Sequence, residues 1–173
     1  MTLYDDVYGD LEEADEYFVT RLHETAWTNA TAADRGKALV AARTIIDTLN
    51  YKGYKNSVYL LLQANPSATQ EQIRVAEADQ LLEFPRGSDT EVPTEIRIAE
   101  YEIAYALLDG KDPELELENL AVSSMGYGAV KTVYERSQLP IEHIINMVPS
   151  SVAWRLLKPF LRDSDVLKLS RMS

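Results

Sequence analysis

The chain has 173 residues, the size of one ordinary domain, and 46% of them are hydrophobic, which is enough for a buried core. Its 17 basic and 28 acidic residues give a formal net charge of -11, which argues against a protein that binds phosphate backbones through Lys and Arg. The absence of cysteine excludes disulfides, thiolate nucleophiles and cysteine zinc sites. No apolar run approaches the roughly 18 residues of a membrane span, and the acidic first residues do not resemble a signal peptide.

The negative charge is unevenly distributed along the chain. Residues 1–30 contain eight acidic side chains against Arg21 alone. From Trp154 onward five basic side chains face two acidic ones, so that this end carries +3 and everything before it -14. Two interpretations stay open: a solvated acidic surface with a basic end of no special role, or an acidic body with a C-terminal arm made for a different neighbour.

Two helices are predicted within the first fifty residues. Asp10 is placed to cap the first, and Thr31 is placed to cap the second, which runs to about Leu49. Apolar residues recur in both at spacings of three and four, which gives each helix one apolar stripe. We therefore expect the two helices to pair as an antiparallel hairpin that ends in a turn with Gly53 in the left-handed conformation.

Two more helices are predicted after a short apolar run at Val58–Leu62, which periodicity assigns to neither strand nor helix. The third spans about Thr69–Leu82. The fourth begins at Pro93, continues to Leu108 and has the clearest apolar stripe in the chain. Glu100 is expected to lie off that stripe.

One strand is predicted in the last third of the chain. Residues 129–136 are rich in β-branched side chains and alternate in polarity. A lone strand needs a partner, either in a short hairpin or in another subunit. The residues expected to contact that partner are Val130, Thr132, Val133 and Tyr134. The predicted fold is therefore mainly α: a small antiparallel bundle of about four helices over 1–121, then the strand or hairpin and an extended C-terminal arm over 122–173.

No catalytic, metal or cofactor motif is present in the sequence. The two histidines, His23 and His143, are far apart and are interpreted as surface or interface residues. The sequence therefore predicts a protein that is not an enzyme and carries no cofactor. Aromatic and basic residues interleave in only one cluster, formed by Tyr51, Lys52, Tyr54 and Lys55, which suggests an alternative function as a module that binds single-stranded DNA.

Six short motifs follow one another between residues 8 and 161. They are an acidic opening helix at 8–18 before a Trp, an aromatic–basic–Gly turn at 51–53, a Leu-x-aromatic-Pro-Arg loop at 82–86, a helix that opens at 92–96, a strand at 128–134 and a Trp-x-Leu-Leu-x-Pro-x-Leu segment at 154–161. In this order and spacing the chain resembles the head–tail connector adaptors of tailed bacteriophages, in the branch labelled DnaT-like single-stranded-DNA-binding protein. The stretch 59–80 is longer than that family usually has.

The resemblance implies a helical subunit that is made in the host cytoplasm and assembles in the neck of the virion as a ring, usually of twelve copies. It implies an arm that docks on the portal protein and an opposite face that receives a stopper or tail-completion protein. DNA would pass through the acidic ring without specific binding. The docking residues are expected to be Trp154, Arg155, Leu157, Lys158, Phe160, Leu161 and Arg162.

A second interpretation of the C-terminal segment stays open, in which Trp154 caps the core of the helical body. If the segment is an arm, deletion of residues 150–173 is expected to leave the body folded.

Overall fold

The computed structural model describes residues 6–121, 124–127, 130–133 and 142–162, with side chains described over 6–119 and 142–162. Within these ranges the chain is mainly helical, as the sequence predicts, and no helix there is both long and apolar enough to cross a membrane. The helices are α1 (Leu11–Thr20), α2 (Thr25–Asn29), α3 (Ala32–Asp47), α4 (Asn56–Ala64), α5 (Gln70–Asp79), α6 (Thr94–Leu108), α7 (Pro113–Ala121), α8 (Glu142–Ile145) and α9 (Ser151–Leu157), which a 3₁₀ turn at Lys158–Phe160 extends.

A bundle of about four helices does not describe this architecture. Five of the helices in the described residues were not predicted: α2, α4 and α7 occupy stretches without a helix assignment, and α8 and α9 occupy the expected extended arm. At α7 the signal is local, because the Asp112 carboxylate accepts hydrogen bonds from the amides of Glu114 and Leu115 and so caps the first turn. Helix α2 depends on a tertiary contact instead, because it places Trp27 in the core, where this side chain is 2% exposed.

Helix starts agree with the predicted caps. The side chain of Asp10 accepts from the amide of Glu13, and that of Thr31 accepts from the amide of Asp34. Thr69, predicted only as the approximate start of the third helix, forms a capping box with Gln72 at the start of α5. Gly53 has the predicted positive φ, at 70°. These features depend on neighbours within three residues, which is why the sequence reveals them.

Helix α6 is the centre of the core. It packs against α3 and α9, and its other sides meet α1 and α2. Ile96 and Ile103 of α6 are fully buried together with Ile46 of α3 and Leu157 of α9. Burial of each such side chain contributes about 1.5–3 kcal/mol, so α9 is part of what stabilises the domain.

The prediction of a C-terminal arm set apart from the body does not describe residues 142–162. Val148, Ala153 and Leu157 are completely buried, and the half-buried Trp154 and Phe160 pack on the same core. One core thus draws side chains from both sides of the predicted boundary at residue 121, because α6 packs against α9 as well as against α3.

A two-stranded hairpin lies between α7 and α8 in the sequence. Strand β1 (Ser124–Tyr127) pairs antiparallel with strand β2 (Val130–Val133), with Ser124 opposite Val133 and Tyr127 opposite Val130. Three residues predicted to contact a partner, Val130, Thr132 and Val133, therefore lie on β2. The fourth, Tyr134, lies outside the described residues.

Candidate functional site

Three of the six sequence motifs meet in one aromatic cluster. The ring of Phe84, from the loop at 82–86, lies 4.7 Å from that of Tyr51 and 5.5 Å from that of Phe160, both in edge-to-face contact. The backbone of Tyr51 also forms an isolated antiparallel bridge with Leu161. Edge-to-face aromatic pairs add about 0.5–1.5 kcal/mol beyond area burial, so this cluster fixes three distant segments to one another.

Arg86 joins two of these motifs through its guanidinium group. It donates to the carbonyl oxygens of Lys52 and Gly53, at 3.0 and 2.8 Å, and pairs with the carboxylate of Glu83. The guanidinium also lies 5.6 Å from the centroid of the Tyr51 ring. Because these contacts use all three of its nitrogens, Arg86 has a positioning role and few donors left for a ligand.

A polar cavity of about 330 Å³ opens beside this cluster. Its charged lining residues are Lys55, Glu77, Glu83, Arg86 and Arg162. Lys55 Nζ lies 3.4 Å from Glu83 Oε1 and donates to the Gln80 carbonyl at 3.0 Å, so its charge is largely compensated within the protein. The side chain of Arg162 donates to the Tyr51 carbonyl at 2.8 Å through Nε.

The structure separates the four residues of the predicted nucleic-acid contact. Tyr51 is 2% exposed and its hydroxyl donates to the Ile46 carbonyl, so a nucleobase cannot stack on its ring. Tyr54 is 54% exposed and Lys52 is exposed, while Lys55 faces Glu83. A stacking platform needs successive accessible rings over a basic groove, and here one ring remains.

The residues predicted to dock on a portal protein divide into two groups. Leu157 is buried, and Trp154, Phe160 and Leu161 pack against the core, which matches the interpretation that Trp154 caps the body. Arg155, Lys158 and Arg162 are exposed. Lys158 Nζ lies 2.6 Å from Glu142 Oε2, and this contact, with a second hydrogen bond from the Trp154 indole, holds the pKa of the Glu142 carboxyl below its usual range.

Two buried carboxylates of α6 were missed by the sequence pattern. Glu100 was expected off the apolar stripe, yet it is fully buried and accepts hydrogen bonds from the backbone amides of Tyr8 and Gly9, at 3.0 and 2.9 Å. Burial raises the pKa of Glu100 to about 8, although the two amides favour the ionised form. Its partners lie more than 90 residues away in the chain, so no local signal could have placed it.

Glu102 holds the other end of α1. Its carboxylate accepts two hydrogen bonds from Arg21, at 2.6 and 3.0 Å, and one from the hydroxyl of Tyr17 at 2.7 Å. Burial, followed by this hydrogen bond, raises the pKa of Tyr17. The two carboxylates tie the acidic N-terminal segment to α6, which is a structural role.

The described residues contain no cluster of metal-ligating side chains. Among them, no group of three or more His, Asp or Glu side chains could hold a metal ion. His23 is exposed with a positive φ of 60°, and His143 is half-buried in α8. No family model, curated protein or solved structure matches the chain.

Proposed function

We propose that this protein is a structural subunit of a bacteriophage head–tail connector, an adaptor that forms a ring beneath the portal and links it to the stopper or tail. The observation that carries the proposal is the convergence of its motifs in space. The turn at 51–53, the loop at 82–86 and the segment at 154–161 resemble separate parts of the adaptor family. In the fold they form one joint around Phe84 and Arg86.

The charge distribution supports a protein that DNA passes without binding. The chain carries a net charge of -11, and several of its cations are paired with carboxylates of their own chain. Examples are the contacts of Arg21 with Glu102, Arg35 with Asp15 and Arg97 with Glu13. A ring of such subunits would present a repulsive surface to the phosphate backbone.

We propose that exposed cations on the folded surface, and not a free arm, contact the portal protein. Arg155, Lys158 and Arg162 stand on α9 and the turn that follows, while the apolar residues between them anchor that segment to α6. Lys158 is paired with Glu142, whereas Arg155 and Arg162 have no carboxylate partner among the described side chains. Their positive charge on an otherwise acidic protein suits an acidic partner surface. The hairpin residues Val130, Thr132 and Val133 remain proposed contacts with a neighbouring subunit or partner.

Cryo-electron microscopy of purified virions tests this function. The expected result is a ring of this chain between portal and tail, with twelve copies as in the family it resembles. Mass spectrometry of the same particles provides a second measurement. Virions that are complete and infectious but contain no copy of the chain would contradict the proposal.

A further inference from the structure

The two most exposed large apolar side chains of the described residues are three positions apart in the sequence, one in the last turn of α1 and one just after the helix. Val19 is 85% exposed and Leu22 is 81% exposed. Glu12 and Glu16 precede Val19 at spacings of seven and three residues, so all three lie on one side of the helix. We call Glu12, Glu16, Val19 and Leu22 the α1 face.

Hydrogen bonds from the side chains of Arg21 and Tyr105 hold the loop that carries Leu22. Arg21 Nη1 donates to the carbonyl oxygens of Leu22 and His23, at 3.1 and 3.0 Å, while its other nitrogens bind Glu102. The hydroxyl of Tyr105 also donates to the His23 carbonyl. With these carbonyls turned inward, the Leu22 side chain is presented to solvent in a fixed position. Such preorganisation lowers the entropy cost of binding.

The uncompensated charge of the α1 face is negative. Glu12 and Glu16 are exposed and have no cationic partner among the described side chains. The nearby cations Arg21 and Arg35 are taken by Glu102 and Asp15. The occupant of this face should therefore combine apolar side chains with a free positive charge.

The same chain carries a surface of that composition. Val152 of α9 is 37% exposed, and Arg155 lies one helical turn beyond it on the same side of the helix. Arg155 is exposed and has no acidic partner among the described side chains. We call Val152 and Arg155 the α9 face.

We infer that the α1 face of one copy docks on the α9 face of a second copy. The contact buries Val19 and Leu22 against Val152, and it brings Arg155 to the free carboxylates of Glu12 and Glu16. Because the two faces differ, the contact is heterologous, and a pair of copies keeps one unused face at each end. Repetition of the same contact therefore builds a ring or a filament. The inference rests on the proposed ring and names the surfaces that would build it.

Cross-linking between copies tests this contact, since the chain has no cysteine of its own. Full-length Val19→Cys and Val152→Cys variants are mixed with a short bis-maleimide and resolved on a denaturing gel. The mixture is expected to give at least ten-fold more cross-linked dimer than either variant alone. The matched control pairs Val19→Cys with Leu81→Cys, a side chain that is 65% exposed beyond α5, and should stay near background. Equal yields for the two pairs would overturn the inference.

Charge reversal gives an independent readout. Glu16→Lys in the Val19→Cys chain, or Arg155→Glu in the Val152→Cys chain, should lower the yield of cross-linked dimer several-fold. Mixing the two chains that carry both charge changes should restore that yield. Failure of the combination to restore the yield would overturn the assigned faces. Virions that contain a ring of this chain built on other surfaces would refute these faces and leave the proposed function intact. Virions without the chain would refute the proposed function instead.

Discussion

Gly9 lies so close to Tyr101 that a Cβ atom at position 9 would be 1.9 Å from the Tyr101 hydroxyl oxygen. The ring has little room to move, because Tyr101 is 3% exposed and its hydroxyl donates to Glu13 Oε2 at 2.9 Å. The amide of Gly9 is meanwhile bonded to Glu100. The N-terminal segment therefore meets α6 at a position that is too close for any side chain.

Gly9→Ala is expected to destabilise the fold by about 1–3 kcal/mol, since the methyl group must displace a buried ring. The measurement is urea unfolding of the two proteins. Gly9→Ala in a Tyr101→Leu background should cost less than in the unchanged protein, because the clashing ring is gone. Equal costs in both backgrounds would show that the contact with Tyr101 is not the cause.

Stability should fall as pH rises from about 4.5 to 8 through the contribution of Glu100. The folded-state pKa of this carboxyl, about 8, is above its ordinary value of 4.5, so in this range the folded protein binds more protons than the unfolded chain. The contribution is on the order of a few kcal/mol, since one unit of pKa corresponds to about 1.4 kcal/mol. Asp47 strengthens the effect and Arg43 weakens it.

Glu100→Gln should remove this pH dependence, because the amide does not titrate. The unfolding free energies of the unchanged protein and of Glu100→Gln are measured from pH 5 to 9. Their difference is expected to change up to about pH 8, the pKa of Glu100, and to level off above it. Glu95→Gln, a change at an exposed residue of the same helix, is the control and should leave the slope as it is. Identical slopes in all three proteins would contradict the assignment to Glu100.

Local features of this fold could be predicted from the sequence, and long-range ones could not. Asp10, Thr31 and Thr69 cap helices through hydrogen bonds that reach three residues, and the turn at Gly53 needs only its own backbone conformation. Such features are independent of the rest of the molecule. They fix where helices begin and where the chain turns, which explains why the mainly helical class was predictable.

The role of the C-terminal segment depended on partners elsewhere in the chain. Its proline spacing and basic charge predicted an arm, but Leu157 is buried against α6 and the half-buried Phe160 packs on the ring of Phe84. The prediction that Glu100 lies off the buried face of α6 was wrong for a similar reason. Its hydrogen-bond partners, Tyr8 and Gly9, are far from it in the sequence. Apolar periodicity tells which side of a helix is buried only when one neighbour covers it, and α6 has neighbours on several sides.

Binding of single-stranded DNA should be weak or absent. Tyr51 is buried and Lys55 is compensated by Glu83, so only Tyr54 and Lys52 remain available in the cluster. A gel shift with an oligothymidylate over a salt series is expected to show no complex tighter than about 10⁻⁴ M at physiological salt. A complex that weakens steeply with salt and is lost in Lys52→Ala and Tyr54→Ala would favour the DNA-binding function.

Substitutions at Leu157 and Arg155 should separate folding from assembly. Leu157 is fully buried, so Leu157→Ala is expected to cost about 2–5 kcal/mol of stability. Arg155 is exposed, so Arg155→Ala should change stability by less than about 0.5 kcal/mol. By the same reasoning, deletion of residues 150–173 should unfold the domain, in contrast to what a free arm predicts.

The two variants are compared by urea unfolding and by incorporation into virions. Arg155→Ala should unfold like the unchanged protein yet enter particles less efficiently, because its charge is available only to a partner. Incorporation of Leu157→Ala into virions should fall only in proportion to the loss of folded protein. A lower temperature should restore part of the folded protein and therefore part of the incorporation. A stable protein after deletion of residues 150–173 would show that α9 is dispensable for the core. Normal incorporation of Arg155→Ala would remove this residue from the proposed contacts with portal and neighbouring subunit alike.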